Sequence, residues 1–220
     1  MSGAMKPDLV RLMRLVVITE PGGEERGHQE IAAAALAGGC RAVQMRDKGL
    51  TDSEFEAIAR KIKRLCSDAR ALFFVNDRVD VAAAVGSDGV HLGVEDLDVE
   101  TARKALPPGS IVGFSPENLQ EAHAAVDAGA DYLGVGPVFA TPTKEDAGAP
   151  IGLDELATYA KAGPAPVIAV GGINAENAAS ALGAGASGVA VVSAITRSED
   201  MEDAVRRLLN SLSLGSDPLT

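Results

Sequence analysis

Gln44, Arg46 and Lys48 occupy alternate positions at the end of an apolar run that begins at Ala42. Residues two apart on an extended chain share a face, so the three side chains point one way. An arginine fork and a lysine point charge converging there suit a phosphate or pyrophosphate. The same residues can instead pair with Asp47, Asp77 or Glu95 and brace the surrounding loops, and spacing leaves both readings open. Two carboxylates, Asp77 and Asp96, close later apolar runs nineteen positions apart. Facing a basic cluster, such a pair matches a Mg²⁺ ion completed by water and substrate phosphate. The alternative is two solvated loop carboxylates, or one of them capping the next helix. His28, His91 and His123 are scattered, which argues against a zinc site; His91 reads as a packed or hydrogen-bonded strand residue.

Further polar groups follow other apolar runs. Asn76 precedes Asp77, and Ser115 closes a run at 111–114. Thr141, Thr143 and Lys144 lie in a stretch longer than most strand-to-helix connections, where two hydroxyls and an ammonium could grip an anion while the rest closes over it. A mobile, proline-broken surface loop is the alternative. Gly171-Gly172 and Val192-Ser193 fit a phosphate site built from backbone N–H groups in the last two units of a barrel.

These positions make sense on one scaffold. Short apolar runs alternate with alanine-rich amphipathic stretches, the pattern of repeated βα units. Strands are expected at 15–19, 42–46, 72–76, 89–92, 111–114, 132–135, 167–170 and 188–192, and helices at 24–37, 51–68, 79–85, 98–105, 118–128, 153–162, 175–184 and 201–212. Thr51 with Glu54, and Asn174 with Asn177, read as helix starts. A weak repeat, Val85-Gly-Ser-Asp-Gly-Val, Ala128-Gly-Ala-Asp-Tyr-Leu and Ala184-Gly-Ala-Ser-Gly-Val, marks helix end, glycine turn and strand. Eight right-handed units predict an α/β fold, a single-domain (β/α)₈ TIM barrel over 9–212, with 1–8 and 213–220 as flexible ends. An open doubly wound sheet is disfavoured, because polar residues recur after many strands rather than at one switch point.

Composition narrows the partners. The 220 residues carry 20 Lys and Arg against 31 Asp and Glu, a net charge of −11, which repels nucleic-acid phosphate and anionic lipid. Aromatics are 3% with no Trp, too few for base-stacking platforms. Hydrophobic residues are 46% and mean hydropathy is +0.11, enough for a substantial core. No run approaches the roughly 18 apolar residues of a membrane span, and no secretory leader is indicated. Cys40 and Cys66 form no C-x-x-C pair, so packing roles in a reduced, cytoplasmic protein are expected.

Together the Gln44-x-Arg46-x-Lys48 element, Asn76-Asp77, Gly93-x-Glu95-Asp96, Ser115, the run from Gly136 to Lys144, Gly171-Gly172-Ile173 and Ser193 resemble the thiamine-phosphate synthase family, in order and over about 15–195. The resemblance implies an enzyme, a transferase of thiamine biosynthesis. It would join 4-amino-2-methyl-5-(diphosphooxymethyl)pyrimidine to a thiazole phosphate, releasing pyrophosphate by a dissociative route through a pyrimidine carbocation. It implies that Gln44, Arg46, Lys48, Asn76, Ser115 and Lys144 hold the pyrimidine diphosphate, with Arg46, Ser115 and Lys144 acting in catalysis. It assigns Mg²⁺ to Asp77 and Asp96, and the thiazole phosphate to Thr141, Thr143, Gly172, Val192 and Ser193. Such chemistry needs charge neutralisation on the leaving group and little acid–base machinery, in keeping with the lack of an evident nucleophile–base pair. Self-association and carboxylation of the thiazole stay open.

One departure stands out. Where the family usually has a histidine two positions after the strand-five serine, this chain has Glu117. The related thiazole tautomerase branch relies on that histidine and tends to lose the aspartate pair and the threonine–lysine loop, so the synthase reading is favoured. A catalytically silent barrel that binds a phosphorylated metabolite is the reading from another class, and the retained Asp77, Asp96 and Lys144 count against it.

Overall fold

A strand covered on both faces can be apolar throughout, and the eight apolar runs each form one. The computed structural model describes residues 7–20, 27–141 and 148–214. Within it lie β1 (Leu15–Thr19), β2 (Ala42–Met45), β3 (Leu72–Asn76), β4 (Gly89–Gly93), β5 (Ile111–Ser115), β6 (Tyr132–Val135), β7 (Val167–Val170) and β8 (Gly188–Val191). Every neighbouring pair is parallel, and β8 returns to β1 with Leu15 opposite Val189, closing the barrel. A single-domain (β/α)₈ TIM barrel results.

The helices are α1 (Pro7–Leu12), α2 (His28–Ala37), α3 (Asp52–Asp68), α4 (Val79–Val85), α5 (Val99–Ala105), α6 (Leu119–Asp127), α7 (Gly152–Ala162), α8 (Ala178–Gly183), α9 (Ser193–Thr196) and α10 (Met201–Leu214). Helix α3 shows how sequence dictates placement. Phe55, Ala59, Ile62 and Cys66 recur at helical spacing and are buried against the barrel. The expected capping box is present, with the Glu54 amide donating to Thr51 Oγ1 and the Thr51 amide to Glu54 Oε2. Cys40 and Cys66 are free and fully buried, and burial pushes their thiols up to about 11 and about 12, as fits packing roles.

Alternation separates two kinds of core. One set of strand side chains meets the helices; the other, including Val16, Ile18, Ala42, Phe74, Ile111, Tyr132, Ile168 and Ala190, fills the barrel interior. Toward the carboxyl ends of the strands the inward positions turn polar, at Gln44, Asn76, His91 and Ser115. Leu9 and Val10 of α1 pack with Met13 against the interior cluster at the opposite end.

The internal repeat has a structural cause. Its glycines, Gly86, Gly129 and Gly185, all have positive φ, and the fourth residue of each copy donates its amide to the preceding strand: Asp88 to Phe73, Asp131 to Val112, Ser187 to Val167. In two copies the aspartate carboxylate also accepts the amide of that strand residue and a cation, Lys63 at Asp88 and Arg103 at Asp131. Removing such a carboxylate orphans a buried amide and loosens a guanidinium. Asp131→Ala is therefore expected to lower stability by about 1–3 kcal/mol, read by urea unfolding, with Michaelis constants unchanged.

Several boundaries differ from the sequence expectation. The barrel is preceded by α1 from Pro7 and ends with α10 at Leu214, beyond the expected limits at 9 and 212. Asn174 and Asn177 do form the expected start, each side-chain oxygen accepting the other's amide, and the Ala178 amide donates to the Asn174 carbonyl; residues 175–177 form turns, and regular α8 runs from Ala178. The short α9 lies directly after β8, where only a connection to the last helix was expected.

Candidate active site

A cavity of about 500 Å³ opens at the carboxyl ends of the strands. Gln44, Arg46, Lys48, Asn76, Asp77, Asp96, Ser115, Thr141, Gly172, Val192 and Ser193 all line it. Thr143 and Lys144 lie outside the described residues. Residues from seven different units thus meet in one mouth, as expected of a barrel and not of an open sheet.

On the β2 side, Gln44 Nε2 donates to Asn76 Oδ1 at 2.7 Å, a buried amide pair at the cavity floor. Arg46 forms an ion pair with Glu20, a cavity residue that the sequence reading did not single out. Glu20 follows Ile18 by two positions, and that inward parity on β1 was the available signal. Asp47, the expected alternative partner for the basic residues, is turned to His28 at 3.0 Å instead. Burial alone would raise the Asp47 carboxyl, but hydrogen bonds from His28 and the Gly49 and Leu50 amides hold it below the usual carboxylate range.

Asp77 and Asp96 come together as a hydrogen-bonded carboxyl pair, and neither caps a helix. Arg78 occupies the start of α4, and Asp98 caps α5 by accepting the Thr101 amide. Asp77 takes a left-handed backbone conformation, φ 62°, and its amide donates to the His91 carbonyl. Asp96 Oδ2 accepts the Gly93 amide at 2.7 Å. Burial, then the hydrogen bond and charge of Asp96, push the Asp77 carboxyl up to about 7, against the opposing charges of Arg46 and Lys48. Two carboxyls brought together in this way mark a place where a cation would relieve like-charge repulsion. Among the described residues no three His, Cys, Asp or Glu side chains group as a metal cage. The donor set is thus two carboxylates and an open side toward the basic residues, which fits Mg²⁺ bound with water and a diphosphate.

A second cluster was not anticipated. His91 faces the cavity, with Nε2 2.8 Å from Ser115 Oγ and Nδ1 2.9 Å from the Tyr132 hydroxyl. His91 is the hydrogen-bonded strand residue expected, but the pairing with Ser115 means that a serine–histidine contact does exist. Burial lowers His91 to about 4, with Asp96 opposing, so at neutral pH the imidazole is uncharged, one nitrogen donating and the other accepting. Burial also keeps the Tyr132 phenol protonated. Tyr132 was missed because an aromatic on an apolar strand reads as core, and its partner lies two strands away.

Opposite the basic side, Gly171 and Gly172 both have positive φ. A Cβ at Gly172 would come within 2.8 Å of Phe139, so the β7 loop passes against the β6 loop only because no side chain is there. Asn177 Nδ2 donates to the Gly172 carbonyl at 2.9 Å, fixing the turn that faces Val192 and Ser193. Glu117 is exposed at the cavity rim, where its amide donates to Glu121.

Comparison with known proteins agrees with the geometry. A family model described as thiamine monophosphate synthase matches residues 15–195. The chain is 48% identical over 193 residues to the thiamine-phosphate synthase of Moorella thermoacetica, covering 88% of this chain and 92% of the relative. It is 46% identical over 196 residues to that of Chloroflexus aurantiacus, covering 89% and 90%. The solved thiamine phosphate pyrophosphorylase from Pyrococcus furiosus superposes with a TM-score of 0.86 at 40% identity, covering 95% of this chain and all of that one.

Proposed function

The chain belongs to the thiamine monophosphate synthase family, whose members are transferases of thiamine biosynthesis, and from that premise we propose a Mg²⁺-dependent, dissociative mechanism. The pyrimidinylmethyl carbon–oxygen bond breaks first, diphosphate departs with the bonding pair, and the ring amino group stabilises the cation. The thiazole nitrogen then attacks that carbon, giving thiamine phosphate. The observation that carries the reading is that Arg46, Lys48, Asp77 and Asp96 line one cavity at the carboxyl ends of the strands.

Arg46 and Lys48 neutralise charge that grows on the leaving diphosphate. Gln44 and Asn76, locked to each other, present their remaining amide groups to the pyrimidine diphosphate. Ser115 donates its hydroxyl proton toward the breaking bond. That polarity follows when Tyr132 donates to His91 Nδ1, His91 Nε2–H donates to Ser115 Oγ, and the serine proton points into the cavity. Asp77 and Asp96 would hold Mg²⁺, which supplies further charge neutralisation on the diphosphate when bound. Thr141, Gly172, Val192 and Ser193 receive the thiazole phosphate, and by the family resemblance Thr143 would join them and Lys144 would serve the diphosphate. Two buried free thiols support a cytoplasmic location; among the described residues no helix is long and apolar enough to cross a membrane.

The metal assignment carries a pH signature. The folded chain holds the Asp77 proton more tightly than the unfolded chain, whose value is near 3.8, so without metal this group's contribution to stability falls as pH rises from about 4 to about 7. Mg²⁺ needs the ionised pair. The rise in Tm on adding Mg²⁺ is therefore expected to be larger at pH 8 than at pH 5.5, and Asp77→Asn should flatten the difference.

The function is tested by incubating the chain with both substrates and following pyrophosphate and thiamine phosphate. Both should form with Mg²⁺ and neither after chelation. Equal rates without a divalent ion would remove the metal from the mechanism, and no product with it would overturn the assignment.

A further inference from the structure

We propose that His28 is a positioning residue for the diphosphate end of the cavity, acting through Asp47 to keep Arg46 and Lys48 turned to the mouth. The inference rests on the reading that these two cations receive the diphosphate. His28 begins α2, is only 4% exposed, and stands behind the cavity rather than on its wall. Both ring nitrogens are engaged: Nε2 with Asp47 Oδ2 and Nδ1 with Thr19 Oγ1, each at 3.0 Å. An ionised carboxylate only accepts, so Nε2 carries the proton, and the buried Thr19 hydroxyl donates to Nδ1. The chain of donors thus has one direction, from β1 through α2 to the loop after β2.

Asp47 lies between the two cations in sequence, and in water it would pair with either. Here Oδ2 faces His28 and Oδ1 accepts the Gly49 and Leu50 amides at 2.7 and 3.0 Å. Those contacts draw the negative charge to the rear of the loop. On the other flank, Arg78 donates to the Asp47 and Leu50 carbonyls at 3.2 and 2.7 Å and to Asp52 at 2.7 Å, with its guanidinium 4.5 Å above the Phe55 ring. Arg78 secures the loop backbone, whereas His28 secures the Asp47 carboxylate. Losing His28 therefore frees Asp47 Oδ2 beside Arg46 and Lys48, while Oδ1 keeps its two amides and the loop stays attached.

The test uses the full chain with inorganic pyrophosphate and Mg²⁺ in isothermal titration, and steady-state kinetics with both substrates. His28→Ala should weaken pyrophosphate binding about tenfold, the scale of one hydrogen bond to a charged group. It should raise KM for the pyrimidine diphosphate by a similar factor and leave KM for the thiazole phosphate within about twofold. His28→Gln, whose side-chain amide can still donate to Asp47, should recover most of the loss. Lys48→Ala is the reference: if it binds pyrophosphate like the parent chain, the diphosphate reading itself fails. If Lys48→Ala binds weakly but His28→Ala does not, or if His28→Ala raises both KM values together, the positioning role is overturned. Should His28→Ala not fold, Thr19→Val, which removes the donor that sets the imidazole, is expected to weaken pyrophosphate binding about threefold, and unchanged binding there overturns the role as well.

Discussion

Asp77→Asn lowers turnover at fixed, subsaturating Mg²⁺ about a hundredfold, on the scale of removing one charge-stabilising contact from a transition state. Asparagine keeps the shape of the side chain but cannot carry the negative charge that holds the ion. It also tolerates the left-handed backbone at this position, so the loop is retained and the effect reports on charge. Alanine would add backbone strain and confuse the two causes. Raising Mg²⁺ should restore part of the activity through Asp96. Near-normal turnover at fixed Mg²⁺ in the asparagine variant would take the metal away from this pair while leaving the fold assignment intact.

Arg46→Ala is expected to lower kcat/KM for the pyrimidine diphosphate by about 10²–10³-fold, with a substantial part in kcat, because the charge it meets is largest when the carbon–oxygen bond is breaking. Lysine should restore only a fraction, since the planar fork addresses two oxygens at once. The variant also leaves Glu20 in the cavity without its guanidinium partner. A double variant, Glu20→Gln with Arg46→Ala, should therefore be more active than Arg46→Ala alone. Equal losses for pyrimidine diphosphate and thiazole phosphate would instead mean that Arg46 braces the mouth as a whole.

The barrel was legible because it is written in short-range signals. Apolar runs of four or five residues, helix starts such as Thr51 with Glu54, and glycine turns at Gly86, Gly129 and Gly185 each report local geometry. The inward parity of Gln44 and Arg46 followed from the same alternation, and it brought them to the cavity with Asn76, Asp77 and Asp96. What failed to show was set by packing between distant units. Tyr132 reaches His91 across the barrel, and His91 reaches Ser115 on the next strand. Asp47 could be paired with a neighbouring cation on sequence grounds, yet a buried histidine from the preceding helix claims it. At α8 the expected Asn174–Asn177 start is made, but its first residues form turns, a difference in regularity that a helix-start pattern does not distinguish. For Thr143 and Lys144 the family resemblance alone supplies the proposed role.

A crystal structure of the chain with Mg²⁺ and pyrophosphate bears most directly on the whole account. The diphosphate should lie between Arg46 and Lys48, bridged by the ion to the carboxylates of Asp77 and Asp96. Pyrophosphate seated instead beside Gly172 and Ser193, with no ion at the two aspartates, would contradict it.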